Sequence, residues 1–276
     1  MPRVMLCTPQ LFRQPLTEYL ISIQKTTQLL QIHNIGLDSC YVGGDCFVGK
    51  ARNGLIQSFI DSWKTEYPCD VLVFMDDDQG WEEHAFLRII LDPHEFIGVP
   101  VPKKTDDQTF NNVMLDSDDK GDCYVENGLL RSTQIGSGFI ALKRTMIEKM
   151  IKAYPEQYVP GDGGQHQLHY NLFEAGVVWP EGGWKPDSPG QFWGEDLNFC
   201  KKWCDLKNPE TGENERIWID PNVTMEHVGR KAWKGNFMEF LQKHAKVVTN
   251  DPNQPAPIPE TLEAIERIAD VDRLAA

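Results

Sequence analysis

Residues 71–75 (Val-Leu-Val-Phe-Met) form an unbroken apolar run that stops abruptly at Asp76-Asp77-Asp78. A run this short, apolar at both alternating sets of positions, is the pattern of a strand buried on both faces of a parallel sheet, and such a sheet needs helices to cover it. Three carboxylates directly after it are costly at a sheet edge unless a cation, a helix N-terminus or water compensates. The feature asks for an open α/β sheet, whose ligands bind beyond the C-terminal ends of its strands.

The flanking sequence fits that class. Residues 3–8 are apolar, residues 15–35 carry helical spacing stopped by Gly36, and residues 37–42 read as a second strand broken by Gly43-Gly44. Residues 49–63 predict a helix with Leu55, Phe59 and Trp63 on one face, ended by Pro68. Further strands are expected at 96–101, 135–142, about 171–178 and 216–219, and helices at 144–153, 195–206 and 236–244. Residues 103–123 are acidic enough for a mobile loop or hairpin, and 155–194, with Gly161-Asp162-Gly163-Gly164 and Glu181-Gly182-Gly183-Trp184, read as a binding-loop region. Residues 250–259 form a proline linker, and 260–274 an amphipathic helix expected as an appendage, a dimer contact or a docking element.

A chain of 276 residues, 41% hydrophobic and 25% charged, suits one large domain with a tail. Its 27 basic against 41 acidic side chains give a net charge of −14, which repels polyanions and disfavours a nucleic-acid partner without excluding a local basic groove. No run approaches the roughly 20 apolar residues of a membrane span, and the first residues turn polar too soon for a secretory signal. Seven scattered cysteines without a Cys-x-x-Cys pair argue against disulfides or a zinc knuckle and for a reducing cytoplasm. Cys200 and Cys204 have the spacing of half a metal site or of buried helix-face thiols.

Four segments carry candidate chemistry. Alternation places Asp76 and Asp78 on one side, a hard oxygen site suited to magnesium or manganese, or else an acidic turn before the helix near Glu82. Ala51-Arg52-Asn53 sets a guanidinium and an amide at a helix start, suited to a diphosphate or a base edge, although an exposed arginine there is as ordinary. Trp193-Gly194-Glu195-Asp196 puts two carboxylates where a helix begins, for chemistry or for capping. His227, followed by Gly229, Arg230, Lys231 and Lys234, has the makings of a metal and phosphate clamp. Trp179, Trp184, Phe192 and Trp193 offer faces to a sugar ring or a base, or belong to the core. His166 and His169 invite a second metal site, with a surface location as the plainer reading.

In chain order, the strand ending in Thr8-Pro9, Ala51-Arg52-Asn53, Asp76-Asp77-Asp78, Gly136-Ser137-Gly138-Phe139, Gly194-Glu195-Asp196 and His227-Val228-Gly229 resemble the metal-dependent nucleotide-sugar glycosyltransferases of the A-type fold, nearest their family 2-like cytosolic and viral members. The resemblance covers about residues 1–245. It implies a Rossmann-like α/β fold with a central, mostly parallel mixed sheet flanked by helices. Residues 1–249 would be the catalytic domain, with 1–100 as its nucleotide-binding half and 101–249 as its acceptor-side half; 250–276 would be the linker and helical tail.

Carried over residue by residue, the resemblance places Thr8, Pro9 and Arg52 near the nucleotide, with Asn53 supporting the loop. Asp76 would hold the ribose or sugar side, and Asp78 with His227 a Mn2+ or Mg2+ ion on the diphosphate. The triple Asp differs from a plain Asp-x-Asp and leaves the ligand open by one position, so Asp76 also stands as a metal ligand and Asp77 as a nucleotide contact. Asp196 matches the catalytic base of inverting members, Glu195 would orient hydroxyls, and Arg230, Lys231 and Lys234 would close over the diphosphate. Gly136, Ser137 and Gly138 would leave room beneath the donor sugar.

The activity so implied moves a sugar from a nucleoside-diphosphate sugar, UDP-sugar favoured, to a hydroxyl of a glycan, a small molecule or a hydroxymethylated pyrimidine in DNA. Lys103 and Lys104, with Arg230, Lys231 and Lys234, would give such DNA a local positive rim. A metal-dependent nucleotidyltransferase or phosphohydrolase would use the same Asp cluster but would not need Gly194-Glu195-Asp196 or His227-Val228-Gly229. A noncatalytic sugar-binding module is disfavoured by the intact Asp78, Asp196 and His227.

Overall fold

The computed structural model describes residues 2–107, 109–110, 113–119, 122–161, 168–179 and 189–244. The first part alternates strand and helix as β1 (Arg3–Gln10), α1 (Thr17–Ile32), β2 (Gly36–Gly43), α2 (Val48–Ser62), β3 (Val71–Met75), β4 (Gln79–Gly80), α3 (Glu83–Leu91) and β5 (Phe96–Gly98). There follow β6 (Met114–Leu115), β7 (Val125–Glu126), β8 (Leu129–Gln134), β9 (Phe139–Lys143) and α4 (Arg144–Ala153). The rest comprises β10 (Tyr158–Pro160), β11 (Leu168–Tyr170), β12 (Gly176–Val178), β13 (Gln191–Trp193), α5 (Glu195–Cys204), β14 (Ile217–Ile219), β15 (Thr224–Val228), β16 (Ala232–Asn236) and α6 (Phe237–His244).

The main sheet is mixed and runs β2-β1-β3-β9-β5-β14-β8-β6, with β7 also on β8. Its parallel part is smaller than the sequence pattern suggests: β1–β2, β1–β3 and β5–β14 are parallel, whereas β9 lies antiparallel between β3 and β5. A parallel return needs a long crossover, usually a helix, and the described residues between β5 and β9 contain none.

Alternation along β3 divides the core into two layers. Leu72 and Phe74 pack with Phe59 of α2, Met146 of α4 and Phe199 of α5, while Val71, Val73 and Met75 pack with Tyr19 and Leu30 of α1 and Phe86 of α3. All five β3 side chains are buried, as the apolar run requires, each stabilising by about 1.5–3 kcal/mol.

Several elements differ from expectation. The strand expected at 135–142 begins at Phe139, because Gly136-Ser137-Gly138 turns before it, and the one near 171–178 shrinks to β12. The strands β8 and β16 break the apolar pattern with Ser132, Gln134, Lys234 and Gly235, and gave no periodic signal. Cys200 and Cys204 are buried helix-face thiols, donating to the Ile135 and Thr133 carbonyls, and burial pushes the Cys204 thiol up to about 12. All seven cysteines are free. Among the described residues no helix is long and apolar enough to cross a membrane. His166, Trp184 and the linker and tail at 250–276 lie outside the described residues.

A second, three-stranded sheet, β16-β15-β4, stands beside the end of β3. Its register sets His227 opposite both Gln79 and Trp233.

Candidate functional site

The acidic run after β3 is held by its backbone from three directions. The Asp76 amide donates to the Gly138 carbonyl at 3.1 Å, the Asp77 carbonyl accepts from the Leu16 amide at 2.9 Å, and the Asp78 carbonyl accepts from the Val228 amide at 2.8 Å. A freely solvated turn has no such anchors. Burial raises the Asp76 carboxyl against the pull of Arg52, and the neighbouring Asp78 charge adds to the rise. Burial first, then its two neighbours, push Asp77 up to about 6.

Arg52 answers part of that charge. The start of α2 lies against the start of α5, where an added Cβ on Gly49 would come within 2.9 Å of the Phe173 carbonyl and 3.1 Å of Glu195 Cβ. From the next turn Arg52 donates from Nη2 to Asp76 Oδ1 at 3.0 Å and from Nη1 to Glu195 Oε1 at 2.8 Å. It is only 5% exposed and lies over the Phe173 ring, so it is no surface charge. Its Nε is buried without a partner in the protein. Asn53 fastens the 171–173 segment beneath it, accepting from the Phe173 amide and donating to the Phe173 carbonyl and to Asn171.

His227 meets Asp78 on the other side. Its Nδ1 lies 2.7 Å from the Pro102 carbonyl, which can only accept, so Nδ1 carries a proton and Nε2 is left facing Asp78, to donate to it or to offer a lone pair to a cation. Nε2 lies 3.5 Å from Asp78 Oδ1. The other oxygen, Oδ2, accepts from Lys104 Nζ at 2.5 Å. Burial would raise the Asp78 carboxyl, but the neighbouring His227 ring and the Lys104 ammonium outweigh it and hold the group below its ordinary value.

A hard oxygen and an imidazole nitrogen with its second nitrogen fixed by a carbonyl suit a divalent cation. Among the described residues no three His, Cys, Asp or Glu side chains form a closed metal cluster, so an ion here would need oxygens from its ligand.

Other expected site residues are placed differently. Thr8 is fully buried and its hydroxyl bonds Tyr19 Oη at 2.7 Å, so that hydroxyl is engaged in steadying α1; Pro9 is buried beside it in β1. Lys234 pairs with Glu226, and because these two alternate with Trp233 and His227 they lie on the opposite face of the small sheet, away from Asp78. Lys231 is tied to Asp106, which also accepts from Trp233 Nε1; Arg230 is exposed in the turn before β16. The space over Gly138 is not open: an added Cβ would lie 2.3 Å from Gln79 Nε2. Asp196, next to Glu195 in the first turn of α5, accepts from the Leu197 amide at 2.8 Å, a contact of the capping kind. The hairpin leading into α5 exposes Phe192 and Trp179, whereas His169 is half-buried in β11.

Lys104 has no functional signal in the sequence beyond a positive rim, since residues 103–123 read as an acidic loop, and Pro102, just before it, has none. Gln79 carries no signal in the sequence, yet it is buried with an unpartnered oxygen, as is Ser137 of the Gly136-Ser137-Gly138 turn.

No family model matches the sequence, and no curated protein matches it. Among solved structures the chain is similar to A197 from STIV, at 14% identity over 91% of this chain and 100% of that one, TM-score 0.47. It is similar to a glycosyltransferase involved in the glycosylation of the major capsid of PBCV-1, at 8% identity over 59% and 69%, TM-score 0.32. It is also similar to the catalytic domain of Drosophila beta1,4-galactosyltransferase 7, in complex with xylobiose, at 12% identity over 95% and 84%, TM-score 0.39. With TM-scores below 0.5, none of these likenesses carries weight for function.

Proposed function

We propose that the chain is a divalent-metal-dependent glycosyltransferase that moves a sugar from a nucleoside-diphosphate sugar, UDP-sugar favoured, to an acceptor hydroxyl with inversion. The observation that supports this most is the meeting of His227 Nε2 with Asp78 Oδ1, beside the Asp76–Arg52–Glu195 chain, at the C-terminal end of β3.

Asp78 and His227 would hold Mn2+ or Mg2+, which when bound supplies positive charge for the departing diphosphate. Asp76, oriented by Arg52, accepts hydrogen bonds from ribose or sugar hydroxyls. Glu195, fixed by the same guanidinium, orients a hydroxyl of sugar or acceptor. As the acceptor oxygen bonds to the anomeric carbon, the bond from that carbon to the diphosphate oxygen breaks with its electron pair. The acceptor proton passes to Asp196, a role worth about 10² to 10⁴ in rate. Arg230 and Lys231, exposed at the β15–β16 turn, add cations on the diphosphate side. The net charge of −14 favours a glycan or small-molecule acceptor over DNA.

A thermal-shift screen of nucleoside diphosphates and nucleotide sugars, with and without manganese, tests the reading. Stabilisation by one diphosphate family that requires metal supports it. No shift with any of them, together with hydrolysis of a simple phosphoester, would replace it with a phosphohydrolase.

A further inference from the structure

We infer that Lys104 is an exchangeable counter-cation that neutralises Asp78 in the ligand-free protein and shifts to a diphosphate oxygen when a divalent ion binds at Asp78. This rests on the reading of Asp78 and His227 as the cation-holding pair.

Both carboxylate oxygens of Asp78 are engaged, Oδ2 by Lys104 at 2.5 Å and Oδ1 by His227 at 3.5 Å. A divalent ion therefore competes with the ammonium for the same charge. Lys104 is free to yield, because its side chain is 36% exposed and its stem crosses Gly229, where an added Cβ would lie 3.2 Å from Lys104 Cδ. The backbone around it is fixed. Pro102 bridges Phe110, the Lys103 amide donates to the Thr109 carbonyl at 2.7 Å, and Asp106 holds Trp233 Nε1 at 3.0 Å. The strap that carries Lys104 also orients His227 through the Pro102 carbonyl. Only a flexible side chain has to move, and it starts beside the position a metal-bound diphosphate would take.

Two consequences follow from charge alone. The lysine lowers the affinity of the nucleotide-free protein for the ion, and it raises the affinity of the metal-loaded protein for diphosphate, so the two ligands bind with positive cooperativity.

The test measures Mn2+ affinity of the full chain by electron paramagnetic resonance, and inorganic diphosphate affinity at saturating Mn2+ by calorimetry, in wild type, Lys104→Met, Lys104→Arg and Asp78→Asn. Methionine keeps the stem over Gly229, and arginine keeps the charge. Lys104→Met is expected to tighten Mn2+ binding about tenfold and weaken diphosphate binding about tenfold, with Lys104→Arg near wild type. If Lys104→Met changes neither affinity, or only one, while Asp78→Asn abolishes both, the role of Lys104 is overturned and the cation-pair reading stands. If Asp78→Asn binds both ligands as wild type does, or wild type binds neither, the reading and the inference fall together.

Discussion

Arg52 Nη1 donates to Glu195 Oε1 across 2.8 Å, tying the second turn of α2 to the first turn of α5 although 143 residues separate the partners. Its Nη2 reaches Asp76 Oδ1 at 3.0 Å, so one side chain joins two helices to the end of the central strand. Arg52→Met removes both donors and leaves two carboxylates without their cation in a part-buried site. A loss of about 3 kcal/mol in urea unfolding is expected. Arg52→Lys should recover only part of it, because one ammonium cannot form two divergent hydrogen bonds. An Arg52→Met protein within about 0.5 kcal/mol of wild type would mean that the chain of ion pairs contributes nothing to the fold.

Asp78 and Asp196 should separate binding from transfer. Asp78→Ala removes an oxygen ligand and leaves His227 and Lys104 without their shared partner. Metal-dependent stabilisation by nucleotide should disappear. Asp196→Ala leaves that pair untouched, so metal-dependent nucleotide binding should persist while turnover falls by about 10² to 10⁴. Normal turnover by Asp196→Ala would rule it out as the base and leave it the capping contact with Leu197.

How far the site could be read from the sequence follows from which interactions are local. Asp76 and Asp78 stand out because they end an apolar run, and period two puts them on one side. Arg52 does not stand out, since an arginine near a helix start is ordinary. Its meaning comes from Glu195, which only the packing of Gly49 against α5 brings near. The surroundings of Thr8 and Lys234 are hidden for related reasons. The partner of Thr8 is a tyrosine on the next helix, and the direction of Lys234 depends on β16, which Gly235 and the lysine itself conceal from pattern reading. Lys104 is hidden in an acidic loop that the tertiary structure folds over Asp78.

Cys40 offers a pH test away from the site. It sits directly across from Cys7 in the β1–β2 register. The Cys7 hydrogen bond, against burial and with help from Ser58, lowers the half-buried Cys40 thiol to about 6. Because the shift is downward, the thiolate predominates above pH 6, and alkylation by iodoacetamide should rise through that pH and level off above it. Cys204, pushed up to about 12, should stay unmodified at pH 8. Cys7→Ala should move the Cys40 midpoint up towards the ordinary thiol value of about 8.5. Peptide mapping after timed labelling reads all three, and a wild-type midpoint above about 8 would contradict the hydrogen bond.

Gly235→Ala should loosen the His227 clamp without touching it. An added Cβ at Gly235 would come within 2.8 Å of Pro102 Cβ and 2.9 Å of Phe110 Cζ. A proline ring and a ring packed against Phe237 cannot swing aside as a long side chain does, so the strap itself must shift. The bond from His227 Nδ1 to the Pro102 carbonyl, 2.7 Å long, then lengthens or breaks, and the ring loses what fixes Nε2 towards Asp78. The expected cost is about 1–3 kcal/mol of stability and a drop of about tenfold in Mn2+ affinity. Nitrogen NMR of the imidazole should show the Nδ1-protonated form giving way to a mixture. Gly176→Ala is the control, since an added Cβ there meets nothing within 4 Å. It should stay within about 0.5 kcal/mol of wild type. If Gly235→Ala loses stability but keeps both the tautomer and the Mn2+ affinity, the strap does not position His227.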